Sequence, residues 1–357
     1  MPSQLLHTLF GEDVVAGICQ RVENRFADAA ARILTIPGAH RKAFALGCQG
    51  PDIFYHSRRR RPVGLEYGTL LHRRGIGTFC SELLKNSLPA VFAAQAEGAY
   101  GAYGAYALGF MTHAILDRQA HPYIVYKTWL PSNHGFPGYA QAHTFFERII
   151  DALMLKHLRG SEITSWDQEG LLAETCASPP PGLKELLSRT LVFAFPERAG
   201  KDEKLEARII NTFHDSAVFY RMSAPANVAQ KRMDDSLSKD HLVYVYPEEL
   251  PANIDFLNLE KRPWFYPAGE ETADTRSFPE IYAGAVAAAA DSLSGIIVRY
   301  LEEASFQAEE AARVIGNGGL SIVDGSGAPC PPCRSDPLPL DDVIEQQVIM
   351  RRSGKHQ

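Results

Sequence analysis

Residues 99–122 read AYGAYGAYALGFMTHAILDRQAHP. Apolar and small side chains fill this stretch, and charged side chains enter only near its end. Alanine and glycine leave room for neighbouring helices to approach closely. The pattern predicts one long helix over residues 89 to about 120, and Pro122 predicts that this helix ends at His121. A long helix of this composition indicates an all-α fold in which other helices surround it.

Helical periodicity recurs along most of the chain, and strand signals are scarce. Two segments rich in Pro, Gly and acidic residues, 160–181 and 243–276, are predicted to be loop-like. Within the first, residues 165–168 resemble a capping box, which predicts a further short helix. The remaining predicted helices cover residues 12–34, 39–46, 68–84, 138–158, 182–194, 203–221 and 278–315. We therefore predict a single all-α domain over residues 1–315.

The composition changes sharply after residue 315. Gly316-Asn-Gly-Gly319 opens a segment rich in Gly, Pro and Ser, which cannot bury much apolar surface. We predict that residues 316–357 form a flexible Gly/Pro-rich tail, whose removal leaves the fold and any bound metal intact. Cys330 and Cys333 in this tail form one CxxC pair, which is either an incidental feature or a weak zinc or redox signal.

The overall composition is that of a globular protein. The chain has 357 residues, of which 45% are apolar and 22% charged, and its net charge is −6. A mildly acidic chain argues against a stable nucleic-acid complex, although a local basic patch remains compatible with it. The sequence shows no signal-peptide pattern and no apolar run near the roughly 20 residues of a membrane span. We therefore expect a cytoplasmic protein without a transmembrane segment.

The strongest chemical signal is a set of histidines and carboxylates at helical spacing. His113, Asp117 and His121 are each four residues apart, and His143 and Glu147 repeat this spacing. Side chains four residues apart share one face of a helix. One such pair alone is typical of a surface hydrogen bond. Two units flanked by apolar residues favour a metal, because buried polar groups need a partner and zinc accepts both nitrogen and oxygen ligands.

Three further residues supply ligand types. Asp52 follows Gly50-Pro51 in a turn, His72 lies in a predicted amphipathic helix, and His7 lies near the N-terminus. Each also has an ordinary structural interpretation: an Asx turn, a hydrogen-bonded boundary histidine, and a residue in a frayed end. They become candidate metal ligands only together with the two helical units.

A basic run follows Asp52 closely. Arg58 to Arg61 are four consecutive arginines. They form either a solvated loop or a patch that steers phosphate groups to the mouth of the site, in which case anionic substrates are favoured over choline lipids. Arg58, Arg59 and the nearby Tyr55 are the candidate substrate-binding residues.

The order of these motifs resembles the zinc-dependent phospholipase C family. Gly-Pro-Asp52 and Thr-His113-x₃-Asp117 carry most of the resemblance, which covers roughly residues 5–150. The fungal single-strand-specific zinc nucleases share the same plan. The resemblance implies a multi-helix bundle around a polynuclear site of two or three zinc ions.

Carried over onto this chain, the resemblance implies three groups of ligands. The first zinc is held by Asp52, His72, His113 and Asp117. The second is held by His121, with His134 as the alternative, together with His143 and Glu147. A third takes His7, with Asp117 bridging it to the first. In secreted members an N-terminal tryptophan completes the third site, and this chain has no tryptophan before Trp129.

The implied reaction is hydrolysis of a phosphodiester by a zinc-activated water. Asp52 accepts a proton from that water or orients it, as the resemblance implies for the matching residue. The expected partner is a phosphodiester or the head group of a phospholipid. Two alternatives stay open, a nuclease-like phosphodiesterase and a non-catalytic helical protein that binds zinc structurally.

Overall fold

The computed structural model describes residues 4–92, 99–130, 135, 137–225, 243–269, 272–303 and 305–353. Within these ranges, the only strands are Trp264–Phe265 (β1) and Ala273–Asp274 (β2), an antiparallel pair in which Trp264 faces Asp274. The α-helices are α1 Gln4–Ala39, α2 Arg41–Cys48, α3 Leu65–Arg73, α4 Ile76–Phe92, α5 Ala99–Thr128, α6 Tyr139–Arg159, α7 Glu174–Ala177, α8 Leu183–Ala194, α9 Leu205–Ser223, α10 Phe278–Glu303, α11 Ala308–Ile315 and α12 Leu340–Ser353. The predicted all-α fold is confirmed.

Short helical turns join several of these elements. A 3₁₀ helix, Gly50–His56, follows α2, and another covers Ile163–Ser165. A π-helical turn, Glu169–Ala173, leads into α7. The loop-like segment 160–181 thus contains the short helix predicted after residues 165–168. Its leucines and Cys176 are buried in the core.

Helix α5 lies at the centre of the fold and packs against α1, α2, α4 and α10. Its glycines permit the closest of these contacts. A Cβ atom at Gly109 would lie 2.5 Å from the carbonyl oxygen of Phe44, and one at Gly47 would lie 2.2 Å from that of Tyr106. Only glycine avoids these clashes, so the backbones of α2 and α5 can approach directly. This contact brings the end of α2 beside His113.

Helix α5 does not end at His121 as predicted. It continues through Pro122 to Thr128. Proline removes a single helical hydrogen bond, and burial of the residues that follow it offsets this loss. Tyr123 is fully buried and donates a hydrogen bond to Phe256 O at 2.9 Å, and Ile124 is also buried.

Two other predicted helices are each divided in two. The predicted helix 68–84 is broken at Gly75, which adopts a φ of +76° between α3 and α4. The predicted helix 278–315 is broken between α10 and α11. Pro89, expected to begin the central helix, instead lies inside α4.

Helix α10 has the length and composition to cross a membrane, with a mean hydropathy of 1.6 over its most apolar window. The sequence suggested no apolar run near the length of a membrane span. Half of that window is buried inside the protein, and α10 packs along α1 and α5. Its apolar face therefore belongs to the core of this fold.

The expectation that residues 316–357 stay outside the core is wrong for the described residues 316–353. Leu320 is fully buried, and Leu340, Val343 and Ile344 join the main hydrophobic core. The chain between them runs beside the end of α5, where Leu338 N donates to Lys127 O at 2.9 Å. A few well-spaced leucines and these backbone hydrogen bonds hold a segment whose Gly and Pro content suggested disorder.

Candidate metal centre

The stripe predicted on α5 is present and buried. His113, Asp117 and His121 face one side of the helix, and none is more than 8% exposed. Asp117 Oδ2 lies 3.1 Å from His113 Nε2, and Asp117 Oδ1 lies 3.6 Å from His121 Nδ1. The two oxygens of one carboxylate therefore point toward different histidines.

Three other elements bring further ligands to Asp117 and His113. Helix α1 presents His7, whose Nε2 lies 3.3 Å from Asp117 Oδ1. The 3₁₀ helix presents Asp52, whose Oδ2 lies 3.8 Å from His113 Nε2. Helix α3 presents His72, whose Nε2 lies 2.9 Å from Asp52 Oδ1 and 3.8 Å from Asp117 Oδ2.

Helix α6 completes a second set of ligands. His143 Nε2 lies 2.9 Å from Glu147 Oε1, and His121 Nε2 approaches the same oxygen at 3.6 Å. The imidazole rings of His121 and His143 stack, with centroids 5.4 Å apart. His121 stands between the two sets, because its other nitrogen faces Asp117.

The ligand atoms fall into three groups, each within 4.8 Å. They are His7–Asp52–His113, His72–His113–Asp117 and His121–His143–Glu147. All eight predicted ligands are present in them. Two features differ from the predicted assignment. Asp52 is absent from the group that contains His72 and Asp117, and it joins His7 and His113 instead.

Hydrogen bonds from Nδ1 to backbone carbonyl oxygens orient three of the histidines. Nδ1 of His72 donates to Gly68 O at 2.7 Å, and Nδ1 of His113 donates to Cys48 O at 3.1 Å. Nδ1 of His121 donates to both Asp117 O and Leu320 O at 3.1 Å. Because carbonyl oxygens only accept, Nδ1 carries the proton of each neutral imidazole, and its Nε2 keeps the lone pair that a metal requires.

Several atoms of this centre lack hydrogen bonds within the described part of the chain. They are both oxygens of Asp52, Asp117 Oδ2, His113 Nε2 and His7 Nδ1, all buried. Leaving buried polar atoms unsatisfied costs free energy, unless a cation pairs with them. The donor set of imidazole nitrogens and carboxylate oxygens is the one that zinc accepts. The residues therefore fit zinc.

The charges around the centre shift the pKa values of its members. Burial opposes ionisation of Asp117, yet the surrounding histidines hold its pKa well below its usual value. Burial also opposes charge on His121, but Asp117 and Glu147 outweigh it and raise its pKa to about 9. At His7 and His143 burial prevails, and their pKa values are lowered. Asp117 therefore stays ionised and available to a cation.

A cleft of about 770 Å³ leads to the centre. Asp52, His72, His121 and His143 all line it. The three candidate substrate-binding residues, Tyr55, Arg58 and Arg59, line it too. The cleft reaches members of all three ligand groups. A small molecule in the cleft can therefore approach each of them.

The cleft also contains residues that the sequence did not indicate. Arg73 follows His72 directly and adds a third cation, a signal that was present in the sequence. Phe219 and Tyr244 supply an apolar wall. They lie far along the chain from the ligands, and no local pattern could have assigned them.

Asp215 on α9 holds the arginine loop, which consists of residues 58–61. Its Oδ2 accepts hydrogen bonds from the backbone N–H groups of Arg58, Arg59 and Arg60, at 3.0, 2.8 and 3.1 Å. Asp215 is itself 3% exposed. The loop is thus fixed at its backbone, and the Arg58 and Arg59 side chains are held at the cleft.

Two remaining expectations concern other ligand candidates. His134, the alternative to His121, lies outside the described residues. Cys330 and Cys333 are both free thiols, and neither joins a metal-ligating group within the described ranges. Cys333 instead lies against Pro267, to whose carbonyl its backbone N–H donates at 2.9 Å.

Comparison with known families agrees with this geometry. The family model for zinc-dependent phospholipase C matches residues 7–190. That range begins at His7 and includes every ligand of the three groups. No curated protein and no solved structure matches the chain. The match spans more than half of the sequence, and the chain therefore belongs to the zinc-dependent phospholipase C family.

Proposed function

We propose that this protein hydrolyses phosphodiesters at a site of two or three zinc ions. The observation that carries the proposal is the set His121–His143–Glu147, two of whose members line the cleft. Three protein ligands of the His₂Glu type are found in zinc sites that keep one position open for water, whereas structural sites use four. This favours an enzyme over a helical protein that binds zinc structurally.

The chain's own residues have distinct proposed roles. Asp117 holds two ligand sets together, because each of its oxygens faces different histidines. Asp52 lies at the cleft with no hydrogen bond to either oxygen from a described residue, so it is free to accept a proton from water or to orient it. Zinc bound here would supply a nucleophilic water at neutral pH and counter-charge for the phosphoryl oxygens.

The substrate class follows from the cleft. Arg58, Arg59 and Arg73 give it three cations, which favours an anionic phosphodiester over a zwitterionic choline lipid. Phe219 and Tyr244 add apolar surface, which suits the first carbons beyond a phospholipid head group. The same aromatic rings are compatible with stacked nucleobases, so a nuclease-like activity is the second candidate.

Turnover tests both candidates. We expect hydrolysis of bis(p-nitrophenyl) phosphate that depends on zinc, and faster hydrolysis of vesicles of anionic phospholipid than of phosphatidylcholine. Preferential cleavage of single-stranded DNA would favour the nuclease-like alternative. Absence of any phosphodiester hydrolysis by fully zinc-loaded protein would refute the proposal.

Metal content gives a separate prediction. We expect more than one zinc per chain, since three ligand groups exceed the needs of a single ion. Removing the zinc should lower the melting temperature by roughly 5–10 °C, because the metal joins α1, α3, α5 and α6. Mass spectrometry of protein purified without chelator or histidine tag, followed by calorimetry, measures both. One zinc or fewer, or an unchanged melting temperature after removal, would contradict it.

Variants of the arginine loop test whether its side chains bind the substrate. Arg58→Ala and Arg59→Ala should each reduce kcat/KM for an anionic diester roughly tenfold, since each removes a charge-assisted contact at the cleft. Arg60→Ala is the control, because Arg60 shares the loop and its backbone bond to Asp215 but is not among the residues lining the cleft. Equal effects at all three positions would show that the loop acts only through its total charge.

A further inference from the structure

The loop of residues 316–331 is an ordered turn beside the metal centre. Its two arms meet where Cys330 N donates to Ile322 O and where Val323 pairs with Pro329. At its tip, Asp324 Oδ1 accepts hydrogen bonds from the backbone of Ser326 and Ala328. The turn is therefore held by its own hydrogen bonds, despite its glycines.

Arg118 attaches this loop to α5. Its guanidinium donates to the carbonyl oxygens of Ile315, Gly316, Gly318 and Gly319, with the last three at 3.0, 3.0 and 3.2 Å. Four carbonyls on one guanidinium use most of its donors. Because Arg118 follows Asp117 directly, the attachment lies next to the central ligand.

Leu320 then joins the loop to ligands of two different zinc groups. Its N–H donates to the backbone oxygen of His72 at 2.9 Å, and its own carbonyl accepts the hydrogen bond from His121 Nδ1 at 3.1 Å. Leu320 is fully buried, which keeps these bonds away from water. One residue of the loop thus contacts both α3 and α5 at their ligands.

We infer that the 316–331 loop is a positioning element of the metal centre, which fixes the orientation of His121 and the place of His72. The loop lies beyond residues 7–190, so the family match does not include it. Hydrogen-bond partners of ligating histidines typically contribute 10–100-fold to metal affinity. The inference rests on the proposed zinc centre but not on the reaction that it performs.

Zinc binding and attachment of the loop should favour each other. If the loop favours zinc binding by orienting His121, bound zinc must favour the attached loop by the same factor. Zinc should therefore protect the loop from proteolysis. A loop that was merely part of the fold would not respond to zinc more than other exposed turns do.

The experiment compares four variants of the full-length chain. Arg118→Ala removes the attachment, Arg118→Lys keeps its charge with fewer donors, and Asn317→Ala removes an exposed anchor that accepts from Thr78 N at 2.8 Å. Arg313→Ala, an exposed cation on α11, is the control. Zinc affinity is measured by competition with a chromogenic chelator, and cleavage within the loop by proteinase K is measured with and without zinc.

We expect Arg118→Ala to weaken binding of the most loosely held zinc roughly 10–100-fold, with a smaller loss in Arg118→Lys and in Asn317→Ala and none in Arg313→Ala. Zinc should slow cleavage of the loop in the wild-type protein more than in Arg118→Ala. If Arg118→Ala does not fold, Asn317→Ala still decides, because its anchor is at the surface. Wild-type affinity in Asn317→Ala and Arg118→Lys, or cleavage insensitive to zinc, would overturn the inference. Failure of the wild-type protein to bind zinc would contradict the proposed function instead.

Discussion

Asp117→Asn is expected to lose most of its bound zinc and, with it, phosphodiester hydrolysis. Asp117 Oδ1 faces His7 and His121, and Oδ2 faces His113 and His72. Asparagine keeps one ligating oxygen and no charge, so neighbouring cations would face each other without an anion between them. The loss should exceed the roughly 10–100-fold in metal affinity caused by removing a ligand's hydrogen-bond partner.

Zinc content by mass spectrometry and turnover of bis(p-nitrophenyl) phosphate measure this effect. Asp291→Asn is the matched control, because Asp291 is an exposed carboxylate that pairs with Arg21 at the surface. It should retain full zinc content and activity. Full zinc content in Asp117→Asn would contradict the proposal that Asp117 bridges two zinc ions.

Asp52→Asn is expected to behave differently, with roughly 10²–10⁴-fold lower turnover but a smaller loss of zinc. That range is the contribution of a positioned general base. Asp52 lies 2.9 Å from His72 and 3.8 Å from His113, and it also groups with His7. All three histidines retain Asp117 as a ligand partner in Asp52→Asn. The set on α6 does not involve Asp52 at all.

The two variants measured side by side separate the roles of the carboxylates. Retained zinc with lost turnover in Asp52→Asn would support a role toward water. Zinc loss equal to that of Asp117→Asn would mean that Asp52 acts first as a ligand, as its two buried oxygens also allow. Wild-type turnover would contradict any role of Asp52 in the reaction.

The helical class and most of the candidate ligands could be predicted from local residue spacing alone. The spacing of His113, Asp117 and His121 on α5, and of His143 and Glu147 on α6, fixes a shared face once each segment is helical. Such spacing is a local property, so it can be interpreted without knowing the fold. Asp52 was recognisable for a similar reason, because Gly50-Pro51 marks its turn.

How these faces meet, and what surrounds them, depends on contacts between residues far apart in the chain. Leu320 reaches His121 across 199 residues of chain, and Asp215 reaches the backbone of Arg59 across 156. Helix α5 continued past Pro122 because burial of the following side chains outweighed one lost hydrogen bond. The loop of residues 316–331 joined the core for the same kind of reason. Gly and Pro content describes the freedom of the unfolded chain, whereas the contacts that hold this loop are made by distant residues that no local pattern contains.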